Sequence, residues 1–143
     1  MARTNSFCTF YLEEHFFGVQ TELVKEILRY QQLTRVPMAR REVRGIMNLR
    51  GQIVTAIDLR TRLGLPGRPE DQQPMNVVLM DGGGMISLLV DRIGDVVDVE
   101  DALFEPPPET LRGIARELIV GAFKLKHQLL LILDAEKVVT LEA

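Results

Sequence analysis

Imidazoles, hydroxyls, carboxylates and guanidinia are the groups in this chain that could do chemistry, and their spacing decides which chemistry is open to them. His15 and His127 each sit in a charged stretch, with no Cys, His or Asp at metal-ligand spacing, so both read as exposed surface histidines. Ser6 and Ser87 lack the G-x-S-x-G setting of an activated nucleophile. Gly82-Gly83-Gly84 is followed by neither Lys nor Ser/Thr and opens no helix, so it reads as a flexible hairpin tip rather than a phosphate loop. Asp91, Asp95 and Asp98 alternate with Val and Ile as solvent-facing positions around a strand would, and the EF-hand pattern is missing. The single cysteine, Cys8, lies between Phe7 and Phe10 and reads as a small core residue. No catalytic constellation emerges, and no cofactor or metal is expected.

The guanidinia are more informative. From Arg35 to Arg68 there are eight arginines against Glu42 and Asp58, whereas Pro69 to Glu109 holds ten acids against Arg92. Such blocks can hold two halves of a fold together, present two surfaces to different partners, or form solvated faces. Single-stranded nucleic acid calls for aromatics among the cations, and Arg35–Arg68 has no Phe, Tyr or Trp. With a net charge of -3 overall, nucleic acid is not an expected partner.

The elements that must position these groups are short. Gly45–Arg60, GIMNLRGQIVTAIDLR, has apolar runs Ile46–Leu49 and Ile53–Ile57 around Arg50-Gly51, the pattern of a β-hairpin with Gly51 at positive φ. Asn48 is suited to fixing the turn, and Asp58 to holding a neighbouring guanidinium. With Gly51 allowing close packing and Asp58 nearby, Arg50 is expected to be positioned and partly buried. Phe7–Leu12 and Phe16–Gln20 read as strand, turn, strand. Thr21 is placed to cap a short helix whose face carries Leu23, Val24 and Ile27, and Leu28–Val36 then returns extended, followed by a polar turn over Met38–Arg44. Asp58–Gly64 reads as one helical turn, Pro66–Pro74 as an exposed loop, and Met75–Met80 with Met85–Val90 as another hairpin. Val96–Val99 reads as a strand, Thr110–Ile114 as a turn, Leu118–Leu125 with Leu129–Leu133 as a last hairpin, and Asp134–Val138 as a closing helical turn. Many short strands without a long helical period predict an all-β barrel or sandwich.

The central motif resembles that of the CheW family, scaffolds of bacterial chemosensory arrays, whose pattern is G-x-x-N-L-R-G-x-I-x-P-x-x-D-L-R. Thr55 stands where the family usually has proline, and a threonine restores a backbone donor there. The similarity runs over most of the chain, including Phe17-Gly18-Val19, Val24-Lys25-Glu26-Ile27, Leu33–Pro37, Leu89–Val96 and Leu129–Asp134. It implies a single domain over residues 1–143, built of two intertwined SH3-like β-barrel subdomains packed on a shared hydrophobic seam. It also implies a receptor-binding groove matched by Arg50, Glu26, Val24, Ile27, Ile53, Ser87, Ile93 and Val96. From the residues alone, the apolar members of that set read as core. A kinase-docking region on the first barrel is matched by Cys8 and Val19, while Gly45, Asn48, Gly51 and Asp58 form the structural motif.

The expected function is accordingly a non-enzymatic adaptor joining chemoreceptor signalling tips to the regulatory domain of a CheA histidine kinase. No apolar run approaches the roughly 20 residues of a membrane span, and MARTNSFCTF lacks the apolar core of a secretory signal. One cysteine permits no internal disulfide. These features fit a cytoplasmic protein, and the resemblance implies recruitment to membrane-associated arrays. The competing reading is a stand-alone regulatory or ligand-sensing domain of another two-component pathway. A kinase fragment calls for a catalytic region upstream of Met1, and a receiver fusion for extra length after Ala143. An enzyme calls for a polar constellation that the sequence does not display.

Overall fold

Strand side chains point alternately to opposite faces, so a strand apolar at every position must be covered on both sides. That requirement organises the molecule, a computed structural model in which residues 4–141 are described. In chain order the strands are β1 (Thr4–Leu12), β2 (His15–Gln20), β3 (Val24–Leu28), β4 (Val43–Leu49) and β5 (Gln52–Asp58). They continue with β6 (Met75–Asp81), β7 (Gly84–Val90), β8 (Arg92–Glu100), β9 (Ile119–Lys124) and β10 (Leu129–Leu133). Three short helices intervene: α1 (Leu59–Arg62), α2 (Gly113–Leu118) and α3 (Ala135–Val139). The strands form two five-stranded sheets, ordered β8-β1-β2-β10-β9 and β3-β6-β7-β5-β4. The second sheet uses one contiguous stretch, while the first is assembled from both flanks of the chain. The fold is all-β, with two SH3-like subdomains.

The alternation separates three apolar clusters. Cys8, Phe10, Phe17 and Val19 of the first sheet meet Ile57, Val77, Leu79 and Leu88 of the second in one shared seam. Their strand neighbours face the other way: Phe7, Phe16, Phe123, Leu130 and Ile132 fill the first barrel, and Met47, Val54 and Val78 the second. Each fully buried side chain of this size contributes roughly 1.5–3 kcal/mol of transfer free energy.

Neither sheet closes through its ladder alone. In the second, the edge strands β3 and β4 lie at opposite ends of the hydrogen-bonded order, yet Glu26 of β3 meets Arg50 of the β4–β5 turn in an ion pair. Thr34 adds a bridge to Ile46 of β4, with reciprocal N–H to O bonds of 2.8 Å. In the first sheet, the chain beyond β8 folds back so that Glu105 and Ala122 of β9 exchange backbone bonds of 2.9 Å. Gly121 makes room for this: a Cβ there would lie 2.1 Å from Phe104 Cζ.

Several expectations change. Thr21 caps nothing, because Thr21–Leu23 is itself one 3-10 turn with no side-chain cap, and Val24–Leu28 is a strand rather than a helix. Its alternating burial lets Val24 pack on the seam while Ile27 faces outward. Of the segment Leu28–Val36 expected to be extended, Leu28 ends β3 and Arg29–Val36 is irregular apart from the Thr34 bridge. Leu118 ends the helix α2 instead of opening a strand. Thr55 sits inside the sheet, paired with Ile46 on one side and Ile86 on the other. Among the described residues, no helix is long and apolar enough to cross a membrane.

Candidate functional site

The β4–β5 turn is built by three residues. Arg50 and Gly51 both take positive φ, 50° and 87°, as a two-residue hairpin turn of the right twist requires. The Asn48 side chain secures it by accepting the Gly51 N–H at 2.9 Å. Gly45 serves the other end of β4, where a Cβ would stand 2.6 Å from the Thr34 carbonyl oxygen. Gly51 is needed for its φ alone, since a Cβ there meets nothing within 4 Å.

Arg50 is neither buried nor held by Asp58. Its side chain is 68% exposed, and its partner is Glu26. Asp58 lies at the far end of β5, is buried, and caps α1 by accepting the Arg60 N–H at 3.1 Å. It also receives Arg68 Nη1 at 3.2 Å and Arg44 Nε at 3.3 Å.

Asp58 belongs to a buried ionic cluster that the sequence did not announce. Asp91, expected to face solvent, is buried at the β7–β8 crossover between the sheets. It accepts Arg60 Nε at 3.0 Å, Arg68 Nε at 2.9 Å and the Glu13 N–H of the β1–β2 turn at 2.7 Å. Arg60 Nη1 also donates to the Gly67 carbonyl at 3.2 Å. Arg68, in the loop expected to be exposed, therefore turns its guanidinium inward. Burial pushes the Asp91 carboxyl up, but the Arg60 guanidinium, the Glu13 N–H and Arg68 outweigh it and hold it below the usual carboxylate range. The Arg60 guanidinium is raised in turn, chiefly by its bond to Asp91. The cluster ties the first sheet's turn to the second sheet's helix. Its one sequence signal was an acid directly following the apolar run Leu88–Val90, a position that burial makes expensive without partners.

The residues expected around the groove divide into three groups. Glu26 and Ile27 on β3 are brought to the β4–β5 hairpin by the Arg50 ion pair, and Ile53, three residues past Arg50, is 62% exposed. Val24 and Ile93 are partly buried against the seam. Val96 is exposed on β8 of the other sheet, paired with Cys8. Ser87 is fully buried, its hydroxyl donating to Asn76 Oδ1 at 2.7 Å, which places it behind the surface rather than on it. Cys8 and Val19 face each other across β1 and β2, both buried in the seam, and burial raises the Cys8 thiol above its ordinary value. Asp95 and Asp98 are exposed. Among the described residues, no group of three or more His, Cys, Asp or Glu could hold a metal ion. What the arrangement offers is an exposed cation beside exposed aliphatics, suited to recognition of an amphipathic partner.

Known proteins share this fold and much of this sequence. The chain is 32% identical over 136 residues to the chemotaxis protein CheW of Klebsiella aerogenes, covering 95% of this chain and 82% of that one. It is 30% identical over 127 residues to the chemotaxis protein CheW of Bacillus subtilis, covering 89% and 81%. The crystal structure of the scaffolding protein TtCheW from Thermoanaerobacter tengcongensis superposes with a TM-score of 0.87 at 24% identity, over 98% of this chain and 95% of that one. A model of the CheW-like domain matches residues 6–143, and the chain belongs to the CheW-like domain family.

Proposed function

We propose that the protein is a non-enzymatic chemotaxis adaptor that couples chemoreceptor signalling tips to the regulatory domain of a CheA-type histidine kinase. The observation that carries this reading is Arg50, an exposed guanidinium fixed by Glu26 where the two edges of the second barrel meet, with Ile27 and Ile53 exposed on the same two elements. A receptor's helical hairpin would lay its apolar stripe on those aliphatics and an acid on Arg50, with Val24, Ile93 and Val96 completing the surface. Ser87 would support it from behind through Asn76. The kinase would use the first barrel, whose strands β1 and β2 Cys8 and Val19 anchor on the seam. On this reading the two barrels act as one unit through their shared seam, so two partners docked on it would be held at high mutual concentration and a change at one would be felt at the other. Phosphoryl chemistry stays with the kinase. The site of action would be cytoplasmic, at membrane-associated receptor arrays.

Arg50→Glu tests the assignment. It faces Glu26 with a second acid while disturbing no buried contact, so the fold and kinase binding should persist. Affinity for a receptor cytoplasmic hairpin, measured by calorimetry, should fall about tenfold or more. Undiminished receptor binding by this variant would remove the groove.

A further inference from the structure

The arginine-rich half of the sequence gathers around a cleft that the adaptor reading leaves unused. It has a volume of about 920 Å³ and is lined by the segment 30–44, the loop 68–74 and Leu89. None of the residues assigned to the receptor or the kinase lines it. Arg35, Arg40, Arg41, Arg44 and Arg68 do, against a single lining acid, Glu70. Arg68 is neutralised in the buried cluster, and Arg40 and Arg44 are partly neutralised by Glu42 at 3.7 Å and Asp58 at 3.3 Å. Arg35 and Arg41 are exposed and lack a carboxylate partner among the described residues. In a chain of net charge -3, this is a local basic field unlike its surroundings.

A second observation is independent of charge. Met38, in the same wall, has φ of 62°, a conformation that costs a non-glycine residue about 1 kcal/mol or more. Its side chain gains nothing inside the fold, being fully exposed at 103%. Val36 and Tyr30 nearby are also exposed. A strained turn that holds a thioether in water is compensated when a partner covers the sulfur and its methylenes.

We infer that this cleft docks an acidic polypeptide segment bearing at least one apolar side chain. Carboxylates of that segment meet Arg35 and Arg41, and its apolar side chain covers Met38 and Val36. Inorganic phosphate would satisfy the guanidinia and leave Met38 bare. Single-stranded nucleic acid would ask for stacking surfaces beyond Tyr30.

The test is fluorescence anisotropy with three labelled peptides of equal length, made of Glu and Leu, of Glu alone, and of Lys and Leu. The Glu–Leu peptide should bind tightest, weakening with salt, and the Lys–Leu peptide should not bind. Arg35→Glu with Arg41→Glu, both at exposed positions, should weaken the Glu–Leu peptide about tenfold or more. Met38→Gly, which relieves the positive φ, should keep or raise the melting temperature while erasing the advantage of the Glu–Leu over the all-Glu peptide. Arg50→Glu should leave all three titrations unchanged. Equal binding by the double arginine variant would overturn the proposal, as would unchanged peptide preference in Met38→Gly. Preferential binding of phosphatidylserine vesicles in a flotation assay would overturn it in favour of a lipid surface.

Discussion

Replacing Asp91 by Asn keeps the volume of the side chain and removes one of the two carboxylates that neutralise the buried cluster. Arg68, with a side chain 3% exposed, then keeps only Asp58, which also faces Arg44, while the Arg60 guanidinium, 7% exposed, is left with backbone carbonyls as its partners. The Asn amide presents donors where guanidinium donors already point, and the Glu13 N–H risks losing its acceptor. Removing one member of such a buried pair costs about 3–5 kcal/mol, because the remaining charge stays buried without compensation. In a chain of this size that corresponds to a fall in melting temperature of about 10–15 °C. Circular dichroism melts at neutral pH check the number. The pH dependence gives a second readout. The folded Asp91 carboxyl lies below its unfolded value of about 3.9. Its contribution is therefore complete above that value and is lost as pH falls through the folded one. Wild type should lose stability steeply below about pH 4, and the Asn variant should lack that component, so their melting temperatures converge in acid. Adding Arg60→Gln to Asp91→Asn should restore part of the loss, because the Arg60 guanidinium is the charge left without a carboxylate. A melting temperature unchanged by Asp91→Asn, or a gap that widens in acid, would refute the reasoning.

Gly51→Val should destabilise by about 1–3 kcal/mol through its φ of 87° alone, and an unchanged denaturation midpoint would remove the turn argument. Gly121→Ala should displace Phe104 and cost about 1–3 kcal/mol, visible as lost aromatic signal near the first barrel as well as a lower melting temperature. Cys8, buried and with its thiol raised, should resist iodoacetamide in the native protein at pH 8 and react on unfolding, as mass spectrometry would show.

The hairpins were legible because their turns are written locally: Arg50-Gly51 and Gly82-Gly83 each supply two consecutive positive φ values at a defined place. The same holds for Asp58 and Asp134, whose side chains cap the helices that follow them. The two-barrel arrangement came from the motif resemblance, since periodicity alone could not say which face of β1 meets the seam. The ionic cluster was hidden for a physical reason. A Pro- and Gly-rich loop gives no sign that Arg68 will fold inward, and the acids it meets lie on different elements. Likewise Arg50 was expected to sit beside Asp58, but its anchor is Glu26 on the opposite edge strand. Ser87 shows the limit of matching by position, because a residue aligned with a surface can lie one layer beneath it. α2 was missed because it begins at Gly113, with φ of 62° and no side-chain cap.

The order of the strands has a consequence for assembly in time. Residues of the second barrel leave the ribosome consecutively and can pair with near neighbours, whereas Phe17 of β2 waits for Leu131 of β10, which emerges only after the whole second barrel. Once the second barrel has folded, it acts as a short stiff link that brings the two flanks together and lowers the entropy cost of closing so long a loop. Until β10 arrives, β2 keeps an open edge and Phe16, Phe17 and Gly18 lack their last partners. A nascent chain stalled before Leu129 is therefore the species most exposed to aggregation and to chaperone capture, with one barrel complete and the other still open.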